Sequence, residues 1–408
     1  MAQQISPSPT NDSLTESSGC CGVVASRLLA GVLLIAAIAL GITLVSGPPD
    51  RWQGIADANM HPLTLITDPR HPQTVYAGTE QGHILISHDA GQNWQEAHTG
   101  LPANTPVSAL ALLPDGTQML AGTSKGAYLS ADGGKTWRSA GPGIPSHTIV
   151  DAVAALPDGT LLVGTAGRGV YMLPDGAAAW APATKGLPPQ SDIYAFLPLA
   201  QRGHILAALI SGGIYTSTDN GMTWVESDRG LSSSTGVNVF SFLAIPDAHG
   251  KDVTILAGTS RGVFSSRDQG TTWAPSSTGI GTTRVISLTR DPIAPGVVFA
   301  GTDTGVFQSQ DDGVAWRMLG FGLPAKQHVG AVGAVHLADG ERVILASVDQ
   351  LYRYPGQWLL ASEPWRALGI GILIVLALAL VAFAIWWTMF ISWPGGSPCE
   401  PSRSPSRG

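Results

Sequence analysis

One eight-residue pattern, Ser-x-Asp-x-Gly-x-x-Trp, recurs five times along this chain of 408 residues and constrains its fold more than any other feature. The copies are SHDAGQNW at 87–94, SADGGKTW at 130–137, STDNGMTW at 217–224, SRDQGTTW at 266–273 and SQDDGVAW at 309–316. Two degenerate copies, LPDGAAAW at 173–180 and YPGQW at 354–358, keep the tryptophan. The seven tryptophans are spaced by 43, 43, 44, 49, 43 and 42 residues, which indicates seven repeat units.

Each repeat unit has the same order of segments. An apolar alternation such as VSALALLP leads into a β-rich run that ends in AGT, a short turn follows, and the eight-residue pattern joins two further strands. A sheet of four short strands cannot bury both of its faces alone, so the units must stack on one another. The sequence therefore predicts an all-β, seven-bladed β-propeller with four-stranded antiparallel blades over residues 51–360.

The residue types in the pattern predict a structural role for it. In a hairpin, an aspartate accepts hydrogen bonds from turn amides, a serine bonds the same loop, and a glycine permits positive φ. The tryptophan ring is then free to pack across the neighbouring sheet. A calcium or catalytic loop is the alternative, but it needs more carboxylates than the single one in each turn. We assign the structural role to Asp89, Trp94, Asp132, Trp137, Asp219, Trp224, Asp268, Trp273, Asp311 and Trp316.

These repeats resemble Asp-box, or BNR, repeats, which occur in sialidases, xyloglucanase-type glycosidases, sortilin-type receptors and photosystem II assembly and stability factors. The resemblance covers residues 52–360 and implies the propeller fold, while it says little about activity because one fold hosts many functions. Sialidases of this type carry an Arg-Ile-Pro segment and a tyrosine nucleophile assisted by a glutamate. This sequence has no Arg-Ile-Pro. One repeated strand position, typical of core packing, holds Tyr128, Tyr171, Tyr215 and Tyr352.

Trp52 lies 42 residues before Trp94 and continues the repeat towards the N-terminus. We predict that residues 51–57 add an outer strand to the last blade and so close the ring. Such closure removes exposed sheet edges and brings the two ends of the propeller together.

Two uncharged apolar stretches flank the repeats and predict transmembrane helices over 28–46 and 367–393. A cleaved signal peptide is the alternative for the first stretch. Prolines at 48 and 49 stand where a small-residue cleavage site would be, and they favour an uncleaved anchor. The Ser- and Pro-rich ends, 1–27 and 394–408, are predicted to be disordered tails.

The distribution of cysteine favours one membrane topology. All three cysteines, Cys20, Cys21 and Cys399, lie in the tails, and the repeat region has none. Free thiols are typical of a reducing compartment, so we predict a propeller on the extracytoplasmic side of the cytoplasmic membrane and both tails in the cytoplasm. The excess of arginine and lysine on the tail side of the two stretches is small, so it supports this topology only weakly.

The acidic site candidates are Asp151 and Asp192. They occupy equivalent places in the innermost strands of adjacent units, so both are expected to face the central channel, as the two carboxylates of a glycosidase would. The alternative is that they are ordinary polar residues of a water-filled channel.

The basic candidates would form a broken positive ring on the face opposite the eight-residue hairpins. Such a ring would hold an acidic partner, while the alternative is a set of charges that serve solubility alone. Its members are Lys125, Arg168, Arg261 and Arg284.

The remaining features narrow the function class. A net charge of −7 argues against nucleic acid as a partner. The sequence contains no P-loop, dinucleotide fingerprint, nucleophile elbow or zinc spacing, so no cofactor and no metal are expected. We expect a membrane-anchored, non-enzymatic binding or assembly module for a protein or glycan partner. The alternatives are a glycoside hydrolase or sialidase-like enzyme acting on surface glycans and a chaperone like the photosystem II assembly factors.

Overall fold

The structure is a computed structural model, and the residues it describes are 51–55, 61–210, 212–231, 236–246, 253–320, 322–324, 328–337 and 340–355. The predicted tails and the predicted transmembrane helices over 28–46 and 367–393 lie outside these ranges. Within the ranges, no helix has the length and apolar character needed to cross a bilayer.

Seven antiparallel sheets of four strands confirm the predicted all-β, seven-bladed propeller. In six blades the strands follow the chain from the innermost strand outwards. They are β2–β5 (Pro62–Thr67, Val75–Thr79, Ile84–Ser87, Gln95–Glu96) in blade 1, β6–β9 (Val107–Leu112, Met119–Thr123, Gly126–Ser130, Arg138–Ser139) in blade 2, and β10–β13 (Val150–Ala155, Leu161–Thr165, Gly169–Leu173, Ala181–Pro182) in blade 3. Blade 4 contains β14–β17 (Ile193–Pro198, Ile205–Leu209, Gly213–Ser217, Val225–Glu226), blade 5 contains β18–β21 (Val239–Pro246, Val253–Thr259, Gly262–Ser266, Ala274–Pro275), and blade 6 contains β22–β25 (Val285–Arg290, Val298–Thr302, Gly305–Ser309, Arg317–Met318).

The last blade joins the two ends of the propeller. Its strands are β26–β28 (Ala331–His336, Arg342–Ser347, Leu351–Pro355) and, on the outside, β1 (Gln53–Gly54) from the start of the propeller. The innermost strands β26 and β2 are in contact, so the ring is continuous. The prediction that residues near Trp52 supply the outer strand of the last blade is confirmed.

The core of the propeller lies between neighbouring blades, where the second strands are buried along their whole length in six blades and from Ile255 onwards in blade 5. Indole groups connect the blades. Trp137 of blade 2 donates from Nε1 to the Ala97 carbonyl of blade 1 at 2.8 Å, and its backbone N–H donates to the Thr99 carbonyl. The same inter-blade indole bond, 2.9 to 3.1 Å long, is made by Trp180, Trp224, Trp273, Trp316 and Trp52. Trp52 thus occupies the tryptophan position of the last blade, while Trp358 lies outside the described residues.

A glycine makes this blade-to-blade contact possible. Gly100 has a φ of +96°, and a Cβ built on it would lie 2.0 Å from the Trp137 carbonyl oxygen. Any side chain would therefore separate the blades, which explains why a Gly-Leu or Gly-Ile pair follows the tryptophan in most units.

The five Ser-x-Asp-x-Gly-x-x-Trp segments, which we call the box hairpins, hold themselves together by local hydrogen bonds. In blade 2, Ser130 Oγ donates to Asp132 Oδ1 at 2.8 Å and accepts from the Gly134 amide. Asp132 also accepts from the Thr136 hydroxyl at 2.6 Å and from the Thr136 amide at 2.9 Å, and these bonds lower the pKa of Asp132 to about 2. Each box aspartate accepts bonds from its own turn, as a purely structural role requires.

Candidate functional site

Six innermost strands share one irregularity near their first residue. Each makes one ladder pair with the second strand, skips one residue and then resumes pairing. A bulge of this kind bends a strand and redirects the skipped side chain. The skipped residues all line the same central cavity, and we call them the bulge ring: Leu63, Ser108, Asp151, Tyr194, Phe240 and Ile286.

The cavity has a volume of about 760 Å³ and is bounded by the innermost strands of all seven blades. Each bulge comes directly after the pair that the innermost strand makes with the last residue of the second strand. The bulge ring therefore lies at the end of the propeller away from the box hairpins. The lining combines apolar side chains with a few groups able to carry charge. The latter are His61, Glu80, Asp151, Arg284 and His328.

Two aromatic rings and an arginine from blades 4, 5 and 6 form one continuous surface, which we call the aromatic shelf. The Tyr194 ring meets the Phe240 ring edge-on with 5.7 Å between centroids. The Arg284 guanidinium carbon lies 5.9 Å from the centroid of the Phe240 ring. Arg284 is held in place by Asp303, whose Oδ1 accepts from Nε at 3.1 Å and from Nη2 at 2.9 Å. Tyr194 is 38% exposed, so the shelf presents aromatic surface to the cavity.

Asp151 differs from the residues of the aromatic shelf in its charge and in its environment. Burial, reinforced by the negative charge of Asp192, raises the pKa of Asp151 above its ordinary value. Burial also raises the pKa of Tyr194, the charge of Asp151 adds to that rise, and the charge of Arg284 opposes it. The charges of Asp151 and Arg284 therefore both act on the pKa of Tyr194, in opposite directions.

The predicted equivalence of Asp151 and Asp192 is wrong by two positions. Val150 pairs with Thr165 and Ile193 with Leu209, so Asp151 corresponds to Tyr194. Asp151 and Tyr194 are both bulge residues.

Asp192 corresponds instead to Ile149, the residue before the strand. Its carbonyl accepts from the Ile210 amide just as the Ile149 carbonyl accepts from the Ala166 amide. Asp192 is not among the residues that line the cavity, although its negative charge contributes to the raised pKa of Asp151.

The four basic candidates fall into two groups. Lys125, Arg168 and Arg261 are exposed on the turns between the second and third strands, and Lys125 Nζ donates to the Ala103 carbonyl at 3.2 Å. Arg284 instead lines the central cavity and pairs with Asp303. Arg284 therefore belongs to the aromatic shelf, and a basic ring on the turns stays a prediction.

Of the aromatic shelf, the sequence singled out Arg284 alone, and only as a member of a basic ring; Tyr194 and Phe240 were not among the site candidates. Tyr194 and Phe240 follow the first apolar residue of an innermost strand, in IYAF and VFSF, whereas Arg284 precedes it, in RVIS. Aligning the starts of the six bulged innermost strands reveals one position that varies in size, polarity and charge, although the residue before it is apolar in all six. That variation is the signal that identifies the bulge ring.

Several solved structures share this architecture. An ancestral GH74 enzyme is 16% identical with a TM-score of 0.57, and the match covers 74% of this chain and 46% of that chain. The extracellular domain of a B. thetaiotaomicron protein described as a hybrid two component system is 18% identical with a TM-score of 0.58, and the match covers 74% of this chain and 39% of that chain. YCF48 from Cyanidioschyzon merolae is 16% identical with a TM-score of 0.52, and the match covers 74% of this chain and 98% of that chain. YCF48 in a structure bound to a D1 peptide is also similar (16%, 0.54, 76% and 96%). At these identities the likeness shows the fold alone.

The extent of the matches differs among these proteins. This chain spans less than half the length of the GH74 enzyme and of the B. thetaiotaomicron domain, and nearly all of YCF48. No curated protein matches it by sequence. The family model described as the DUF6242 beta propeller domain matches residues 72–283, just over half of the 408 residues. The chain therefore belongs to the DUF6242 beta propeller domain family.

Proposed function

We propose that this protein is a non-enzymatic binding module that holds a peptide segment of a partner protein at the mouth of its central cavity. The observation that carries the proposal is the aromatic shelf of Tyr194, Phe240 and Arg284. Aromatic residues and arginine are the residue types that dominate binding energy at protein interfaces. Asp303 fixes the arginine, so little side-chain entropy is lost when a ligand binds.

The size and polarity of the cavity suit a short segment rather than a whole domain. A volume of about 760 Å³ is within the range of roughly 300–1,000 Å³ that is typical of ligand pockets. Arg284 on one side and Asp151 on the other would orient a segment that carries both an acidic and a basic or hydroxyl group. YCF48 offers an analogy, because a similar propeller has been solved with a D1 peptide. A chaperone role like that of photosystem assembly factors is one form of the same function.

A peptide-display experiment tests this proposal. The full chain in detergent is used to enrich peptides from a random library, and the enriched peptides are then titrated against variants. We expect Phe240→Ala and Arg284→Ala each to weaken binding by about tenfold or more, as substitutions at the centre of an interface do.

Arg267→Ala is the matched control, since this arginine is exposed in a box hairpin, away from the bulge ring, and does not line the cavity. Its affinity should equal that of the unmodified chain. Peptides whose affinity is the same for all three variants and the unmodified chain would show that the shelf is not the binding surface.

Glycoside hydrolysis is the second candidate, and the raised pKa of Asp151 favours it, because a general acid needs a carboxyl group that stays protonated. The cavity lining contains one other carboxylate among the described residues, Glu80. The full chain is incubated with a panel of glycans that includes xyloglucan, and new reducing ends are measured. Under the binding proposal we expect no release. Release that Asp151→Asn abolishes would establish the enzyme and overturn the binding module.

The membrane setting is part of the proposal. We propose that the two uncharged stretches over 28–46 and 367–393 anchor the propeller on the extracytoplasmic side and that the box hairpins are Asp-box repeats. Tethering would raise the effective concentration of the propeller near membrane partners. Protection of the propeller from protease added to intact cells would contradict this orientation.

A further inference from the structure

Two histidines of blade 1 lie at a pair of positions where blades 3, 4 and 5 have a glycine next to a second residue. The first position pairs with the last residue of the second strand, and the second position follows the outer strand by two residues. In blades 3, 4 and 5 the first position is a glycine with positive φ, and a Cβ built on it would touch the residue at the second position. These contacts are Gly169 with Thr184, Gly213 with Asp228, and Gly262 with Ser277.

In blade 1 the same two positions hold His83 and His98. Their imidazole rings stack with 4.5 Å between centroids and an interplanar angle of 9°. Thr79 fixes the backbone of the first histidine, because its amide donates to the His83 carbonyl and its hydroxyl accepts from the His83 amide. The Ala97 amide donates to the Ile84 carbonyl and so fixes the chain just before His98. Strand pairing therefore places the two imidazoles together.

Glu96 of β5 completes the group. Its Oε1 lies 3.5 Å from His83 Nδ1 and its Oε2 lies 3.9 Å from His98 Nδ1, so each carboxylate oxygen faces one ring nitrogen. Both separations exceed the usual N–H···O hydrogen-bond distance. Two ligand atoms at about 2.0–2.1 Å from one tetrahedral ion lie about 3.3 Å apart. One ligand atom from each of the three side chains lies within 4.8 Å of the other two, so rotation of the exposed side chains would bring them to that spacing.

A second observation points to a missing partner. His98 Nδ1 is buried and makes no hydrogen bond to any described residue. A buried polar atom without a partner costs free energy, so its presence calls for an explanation. An ion between the imidazole nitrogens and the carboxylate would supply that partner.

We propose that His83, Glu96 and His98 bind one transition-metal ion of the Zn²⁺ type. Two imidazole nitrogens and one carboxylate oxygen suit Zn²⁺, whereas Ca²⁺ and Mg²⁺ prefer ligand sets made of oxygen alone. The three side chains are 42%, 62% and 35% exposed, so water has access to a fourth position. The ion would join the turn between β3 and β4 to the end of β5. This site is separate from the aromatic shelf, and its existence does not depend on the proposed peptide binding.

Metal titration of the full chain tests the proposal. The protein in detergent is stripped with a chelator and titrated with Zn²⁺ in competition with a metallochromic indicator. We expect one Zn²⁺ per chain and a rise in the unfolding temperature when Zn²⁺ is present. Co²⁺ in place of Zn²⁺ should give the visible absorption of a tetrahedral site.

The variants are chosen so that folding is preserved. His83→Gly and His98→Thr install the residue types that blade 3 carries at the same positions, and Glu96→Gln keeps the shape of the side chain. Each should weaken Zn²⁺ binding by about tenfold or more, because the loss of one of three ligands leaves only two. His88→Ala, an exposed histidine of the same blade outside the cluster, should bind like the unmodified chain. A chain that binds no Zn²⁺, or cluster variants that all bind Zn²⁺ as tightly as the unmodified chain, would overturn the proposal.

Discussion

Trp52→Ala is expected to lower the free energy of unfolding of the propeller by about 3–5 kcal/mol, the cost of removing a buried tryptophan from a packed core. Trp52 is 3% exposed, donates from Nε1 to the Leu319 carbonyl of blade 6 at 2.9 Å and packs against Tyr354 with ring centroids 5.1 Å apart. The substitution removes these contacts where the ring closes, so the loss falls on the blade that joins the two ends. Urea denaturation of the full chain in detergent, followed by far-UV circular dichroism, measures the loss.

Trp94→Ala is the matched control, because it is the same residue at the same place in blade 1. Trp94 is only partly buried, and among the described residues its Nε1 donates only to the Gly91 carbonyl of its own hairpin, at 3.2 Å. We expect a clearly smaller loss from this substitution. Equal losses for the two variants, or none for Trp52→Ala, would show that the inter-blade indole bond contributes little to closure.

Asp291→Asn is expected to cost about 3–5 kcal/mol, since it removes one partner of a buried ion pair. The Asp291 side chain is fully buried between blades 6 and 7. Its Oδ1 accepts from His336 Nε2 at 2.9 Å and from the amides of Ile293 and Ala294, while Oδ2 lies against Nε of Arg342, whose side chain is 9% exposed. The asparagine leaves the Arg342 charge buried without a counter-charge. Denaturation of the full chain measures the loss.

The pH dependence of stability gives an independent check on this carboxylate. Burial raises the pKa of Asp291, but the hydrogen bonds from His336 and the two amides, together with the charge of Arg342, hold it below its ordinary value. The contribution of Asp291 is therefore fully present above the unfolded pKa of about 3.9 and is lost as the pH falls through the lower folded pKa. Unmodified chain and variant should differ most near neutral pH and converge in acid.

A compensating substitution distinguishes charge from packing. Arg342→Met in the Asp291→Asn background removes the orphaned charge and should restore part of the stability. If the double variant is less stable than the single one, the cost of Asp291→Asn lies in lost packing rather than in an unpaired charge.

The number of blades, their strand order and the closing strand were predictable because the information is local and repeated. Each box hairpin contains its own serine, aspartate and glycine bonds, so a short pattern reports a complete structural unit. The spacing of Trp52 from Trp94 placed the first segment in the last blade for the same reason. A strict period in sequence corresponds to a strict period in space.

The residues at the cavity were harder to predict because a bulge shifts the strand by one residue without changing the apolar pattern around it. Asp151 and Asp192 each precede a Leu-Pro pair by the same number of residues, but Pro198 is the last residue of β14 whereas Pro157 lies beyond the end of β10. That difference concealed the correspondence of Asp151 with Tyr194. The cluster of His83, Glu96 and His98 was hidden for a different reason. A hairpin and a strand pair bring these residues together, and their spacing along the chain matches no metal motif.

The closing ladder also determines how the propeller responds to force. β1 and β28 are antiparallel, with Gln53 opposite Arg353 and Gly54 opposite Tyr352. The start of β1 therefore lies beside the end of β28, and tension between Arg51 and Pro355 would open the ladder one bond at a time, as a zipper opens, rather than load its bonds together. The ladder that closes the ring would therefore be the part of the propeller that opens at the lowest force.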